Sequence, residues 1–172
     1  DLHSFPTRRS SDLKPSHKGI FWFRGHNSKT EFSIIYPALL FCLNKNKQGE
    51  PSGLKVFTLP SNQRPNDNTH LYHAPLMNIY SQGAVCQGSA TLPKQIDSVA
   101  DCMNEVEETV LASNFTHVNH DKTLKSKGSV STPDLLSYWK GKANSKCPSS
   151  AKVKMSELNK YMRLGEYLRS EL

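Results

Sequence analysis

The stretch HLYHAPLMNIYSQGAVCQG, residues 70–88, decides how this chain is read. It holds two histidines, an asparagine and a cysteine, with proline and glycine between them. No helical or strand period runs through it, so it must be a structured loop crossing the edge of a sheet. Loops held on a rigid scaffold are where reactive groups concentrate. Cys86 follows Gly83-Ala84-Val85, a short apolar step that fixes its backbone, and Gly88 lets the chain turn just after it. A cysteine so placed is either a small buried hydrophobe or a nucleophile. A nucleophilic thiolate attacks acyl groups and needs a neighbouring donor to hold the tetrahedral oxyanion. Asn78 can be that donor, because its amide stays neutral and donates at any working pH. His73 is either a base, a residue that orients the loop, or a hydrogen-bonded structural histidine.

Upstream of this loop the pattern is that of strands. Gly19 to Gly25 is an aromatic run, and Glu31 to Leu43 reads as one long buried strand with a bulge or edge position at Pro37. Asn44 to Gly53 is a hairpin connection, Leu54 to Leu59 alternates as a half-buried strand, and Pro60 to Thr69 is a loop. Together these predict an antiparallel meander of about 3–4 strands. Downstream the period changes. Ile96, Val99, Ala100, Met103, Val106, Val110 and Leu111 form a helical stripe, opposite Asp97, Asp101, Glu105 and Glu108. A second helix starts with Thr132 as its cap and Pro133 in its first turn, and Gly141 ends it, with Leu135, Leu136 and Trp139 turned inward. Gly141 to Lys152 reads as a linker, and a third, basic helix is predicted from about residue 153 to the end. Both tryptophans, Trp22 and Trp139, are expected in the core. Strands followed by helices predict an α+β domain.

Length, charge and cysteine use narrow the function. The 172 residues suit one domain. No apolar run is long enough to span a membrane. No cationic-then-apolar leader opens the chain, which assigns it to the cytoplasm. The four cysteines show no paired spacing, and the His and Cys spacings match no metal pattern, so neither a disulfide framework, a metal nor a cofactor is expected. Residues 1–121 carry 11 basic and 11 acidic side chains, while residues 122–172 carry 11 basic and 4 acidic, so the whole net charge of +7 sits in the tail. A solvated basic face outranks a nucleic-acid contact as the reading of that tail. Residues 1–13, DLHSFPTRRSSDL, are similar to a sequencing-adapter oligonucleotide translated in one frame. They are set aside as an artefact, with 14–172 taken as one domain whose natural N-terminus is missing.

The central loop also resembles the signature of ubiquitin-conjugating enzymes. That signature is His-Pro-Asn, then an apolar residue, a glycine and an apolar residue before the cysteine, with the cysteine eight positions after the asparagine. Asn78 and Cys86 are eight apart, with Ile79, Gly83 and Val85 at the corresponding places. The triplet is drawn out over His73-Ala74-Pro75-Leu76-Met77-Asn78. More of the chain is similar to the bacterial PRTRC system B proteins, the prokaryotic ubiquitin-conjugating-like family D. The similarity runs through Arg64-Pro65, Thr69 to Tyr72, Ala74-Pro75, Asn78 to Tyr80, Gly83 to Gly88, and Asn114 to His117 with Asn119. The resemblance implies a conjugating-enzyme-like fold and an accessory gene of plasmid-type elements. It implies two partners, a ubiquitin-like protein and an activating-enzyme-like protein. Cys86 would carry the ubiquitin-like protein as a thioester, and Asn78 would hold the oxyanion. His117 would fold back toward Cys86 in place of the altered triplet, or else belong to a capped turn. Asp97 and Asp101 are the carboxylates that follow Cys86, but neither is assigned to deprotonating the amine. The alternative is a non-catalytic binding module of the same fold, holding a ubiquitin-like partner or a DNA-linked complex.

Overall fold

Pro37 divides the apolar first half. A proline has no N–H to give a ladder, so a strand that meets one in its interior must end or move to another partner. In the computed structural model, which describes residues 13–48, 50–86, 99–125 and 127–171, the chain does the second. β1 (Leu13–Lys14) is followed by β2 (His17–Arg24) and β3 (Lys29–Tyr36), which pair as an antiparallel hairpin. Past Pro37-Ala38 the chain enters a different sheet as β4 (Leu39–Lys45). The Ala38 carbonyl there accepts from the Leu59 N–H at 2.9 Å. The single strand expected over Glu31–Leu43 is therefore two strands in two sheets. The N-terminal stretch set aside above lies outside the described residues except for Leu13, which pairs with Leu40.

β4 turns at Asn46, whose side chain accepts from the Gln48 and Glu50 N–H groups, and returns as β5 (Pro51–Thr58). Next comes β6 (His70–His73), paired to the C-terminal end of β5. The last strand, β7 (Lys160–Arg163), comes from the tail and pairs with the outer edge of β6. The result is a five-stranded antiparallel sheet in the order β1-β4-β5-β6-β7, beside the two-stranded β2-β3 hairpin. This is α+β, as expected, but it is not one continuous meander.

The helices follow. α1 (Val99–Leu111) buries Cys102, Val106 and Val110, and leaves Asp101, Glu105 and Glu108 exposed. Ile96 and Asp97 lie outside the described residues. α2 (Thr132–Ala143) is capped by Ser131, not Thr132. Ser131 and Asp134 exchange side-chain and backbone bonds in a capping box, while the Thr132 hydroxyl accepts from the Val118 N–H at 3.0 Å. α2 also runs past Gly141 to Ala143, because a glycine with open space around it does not stop a helix by itself. The expected linker contains a short α3 (Pro148–Ala151). The expected basic helix from about residue 153 is instead a 3-10 turn (Met155–Glu157), β7, and α4 (Leu164–Ser170). Over so few residues a helical stripe and a strand bury similar positions, and the open edge of β6 decides for the strand.

Two clusters cover the sheet, one on each face. Alternate residues of β4 and β5 separate them: Leu39, Phe41, Leu54 and Val56 belong to one, Leu40, Cys42 and Phe57 to the other. The larger cluster takes the β2-β3 hairpin, α1 and α2. Trp139 is fully buried there, with its indole N–H on the Pro75 carbonyl at 2.7 Å, and Phe21 stacks on Phe115 at 4.6 Å. The smaller cluster is closed by Leu164 and Tyr167 of α4, which makes β5 buried on both faces and not half-buried. Lys55 escapes by reaching the Glu171 carboxylate across the Tyr167 ring. Trp22 points the other way from Phe21 and Phe23 along β2 and is 38% exposed, not core.

Candidate functional site

Glycine sets the backbone of the central loop. Gly83 has φ +79°, and a Cβ there would stand 2.5 Å from the Phe57 ring. No other residue closes this turn without displacing the core. The Gly83 N–H bonds the Tyr80 carbonyl, the Tyr80 N–H bonds the Ala84 carbonyl, and Ile79 bridges Val85. The turn is fastened to β5 by Val56 N–H to Gly83 and Val85 N–H to Leu54. At its open end the Cys86 N–H donates to the Asn78 carbonyl at 2.7 Å. The eight-residue spacing is thus a hairpin that sets Asn78 and Cys86 side by side.

Asn78 has φ +57°, a left-handed conformation that asparagine tolerates better than most residues. Its N–H donates to the His117 carbonyl at 2.9 Å. Its Oδ1 accepts from the Thr116 hydroxyl at 2.9 Å and the Thr116 N–H at 3.2 Å, and its Nδ2 donates to the Asn114 carbonyl at 3.3 Å. That loop is itself pinned, because Phe115 bridges Phe23 at the end of β2. The order across the site is therefore loop 114–117, Asn78, Cys86. Cys86 is half-buried, and its sulfur takes the Tyr80 hydroxyl at 3.6 Å. From the sequence, Tyr80 is named only within the Asn78–Tyr80 stretch and is given no role. Its signal was its position in the same hairpin, two residues after Asn78.

The histidines separate. His117 reaches the site through its backbone, and its exposed ring nitrogen Nδ1 lies 2.8 Å from the Thr116 hydroxyl. His73 lies elsewhere, on a cleft of about 770 Å³ that it shares with Ser81, Gln82, Asn119, Lys160 and Tyr161. It packs on His120 at 4.8 Å and on Tyr161 at 5.4 Å. Burial, helped by the His120 charge, pushes His73 down to about 4, so the ring is neutral near pH 7. Among the described residues no hydrogen bond joins His73 to Cys86. Asp97 lies outside the described residues, and Asp101 is exposed in the first turn of α1. Of the other cysteines, Cys42 and Cys102 are buried and Cys147 is exposed. Hydrogen bonds from Ser149 and Ser150 lower the Cys147 thiol to about 7. Among the described residues no group of three or more His, Cys, Asp or Glu could hold a metal. No helix among them is long and apolar enough to cross a membrane.

The hairpin sets the Asn78 backbone beside a half-buried cysteine at an antiparallel sheet, with the asparagine amide turned to the 114–117 loop. The model of prokaryotic E2 family D matches residues 13–155. The chain belongs to prokaryotic E2 family D. No curated protein and no solved structure matches it. Membership makes this an E2-like protein and ties it in general to ubiquitin-like and activating-enzyme-like proteins. The family match takes in the hairpin, the 114–117 loop and α2, and it ends before β7 and α4.

Proposed function

We propose that Cys86 accepts the C-terminal carboxyl of a ubiquitin-like protein as a thioester, within a PRTRC plasmid-type system of the bacterial cytoplasm. The single observation that carries this is the backbone bond from Cys86 to Asn78 in a chain of the E2 family. It fixes a half-buried thiol beside the Asn78 backbone. The activated carboxyl carbon takes the sulfur, and its previous leaving group departs. A target amine then takes the carbon, and the sulfur leaves. Asn78 serves as the oxyanion donor, a role worth about 3–4 kcal/mol where such donors have been removed. His117 positions Asn78 through the backbone. His73, neutral and distant from any bond to Cys86, orients the loop and the β6 strand end. A base that binds its proton near pH 4 is poorly matched to proton transfer at pH 7.

A second reading has its own observation. The Asn78 amide is bonded to the 114–117 loop through both its oxygen and its nitrogen, as a purely structural amide would be. On that reading the chain is a non-catalytic module holding a ubiquitin-like partner. Incubation with the activating-enzyme-like and ubiquitin-like proteins of the same gene cluster and ATP, followed by a gel without reductant, separates the two. A thiol-sensitive adduct that vanishes in Cys86→Ala supports the carrier. An association that survives Cys86→Ala, with no adduct in the unaltered chain, supports the module.

A further inference from the structure

Tyr80 sits on the outgoing limb of the hairpin, six residues before Cys86. Its ring is 44% exposed, so core packing does not account for its place. Its hydroxyl faces the Cys86 sulfur at 3.6 Å, in donor geometry. A hydroxyl in that geometry gives its proton to the sulfur. The contact with Cys86 in turn holds the Tyr80 proton to a higher pH than an ordinary tyrosine.

We propose that Tyr80 is the hydrogen-bond donor to the reacting sulfur of Cys86 and stabilises it as the leaving group when an acyl group passes to an amine. The inference rests on the reading of Cys86 as an acyl carrier, and it divides the work in the site. Asn78 stands for the carbonyl oxygen and Tyr80 for the sulfur. In the transfer step the amine nitrogen attacks the thioester carbon and the C–N bond forms. The C–S bond breaks, its electron pair stays on sulfur, and the nitrogen gives its extra proton to solvent. Sulfur gains negative charge as it leaves, and a donor already aimed at it strengthens at that moment. Tyr80 is thus a catalytic residue by contact with the reacting atom.

The test needs no protein partner. The full chain carrying Cys147→Ser, which removes the exposed thiol, is acetylated with p-nitrophenyl acetate. Thiolate attack places the acetyl group on Cys86 and releases p-nitrophenolate. Methylamine then discharges it as N-methylacetamide, and mass spectrometry follows the acetylated Cys86. Tyr80→Phe is expected to slow discharge about tenfold, the lower end for a hydrogen bond to a charged group because the site is open to water. Tyrosinate absorbance supplies a readout that a structural role would not move. One tyrosine ionises at lower pH in Cys86→Ala. Discharge of Tyr80→Phe at the unaltered rate, an unmoved tyrosine titration, or a Cys86 that takes no acetyl group overturns the proposal. A Cys86 that shows the Tyr80 effect yet accepts no ubiquitin-like protein overturns only the function proposed above.

Discussion

At Asn78 the backbone and the side chain make separate demands. The left-handed φ asks for asparagine or glycine, and the bonds to Asn114, Thr116 and His117 ask for an amide. Two substitutions separate them. Asn78→Gly keeps the backbone and loses the amide, at about 1–3 kcal/mol. Asn78→Ala loses both and is expected to be about 1 kcal/mol less stable still. Urea denaturation of the two variants reads the difference, and equal midpoints would show that the backbone carries no strain. Gly83→Ala is expected to cost about 2–4 kcal/mol, since it combines a left-handed alanine with a Cβ against the Phe57 ring. A thermal melt unchanged from the parent would contradict that geometry. The spacing of Asn78, Gly83 and Cys86 was legible in the sequence because a tight hairpin fixes local distances. The contact of Tyr80 with the sulfur was not, because it depends on how the tyrosine side chain turns across the closed hairpin.

Among the elements, α2 shows what local chemistry decides. Its N-terminus is a Ser131–Asp134 capping box, followed by proline in the first turn. Ser131→Ala is expected to destabilise the fold by about 1 kcal/mol, whereas Thr132→Ser, which keeps the hydroxyl that Val118 uses, stays close to the parent in chemical denaturation. Reversal of that order would return the cap to Thr132. The sequence placed this helix within a residue or two because its buried residues Leu135 and Trp139 and its polar cap agree. It failed for β7. Lys160–Arg163 has two partly buried residues between two exposed ones, a pattern that suits either element. What settles it is the unpaired edge of β6, a strand far away in the sequence. Pro37 reads in the sequence as a bulge or edge position within one strand, whereas the chain changes sheet there, a step that depends on the partners β4 finds.

At the scale of the whole molecule, the half-buried histidines His73 and His120 couple stability to pH. The unfolded chain takes up a proton at His73 near its ordinary value of 6.5, whereas the folded chain resists until about 4. His120 is shifted in the same direction, by its own burial. In that window the unfolded state binds more protons, so stability is full above about pH 6.5 and falls as pH drops toward 4. His73→Gln is expected to flatten the fall between pH 6.5 and 4, read as the urea midpoint at several pH values. A variant with the parent's slope would place the dependence elsewhere.

β7 also does more than complete the sheet. Residues 160–163 cover the outer amides and carbonyls of His70–His73, and α4 then seals the face that holds Phe57 and Leu71. A chain cut at residue 155, where the family match stops, would bare a strand rim and an oily face together. Such a shortened version would recruit strands from its neighbours and come out of solution, even with every residue of the Asn78–Cys86 hairpin intact.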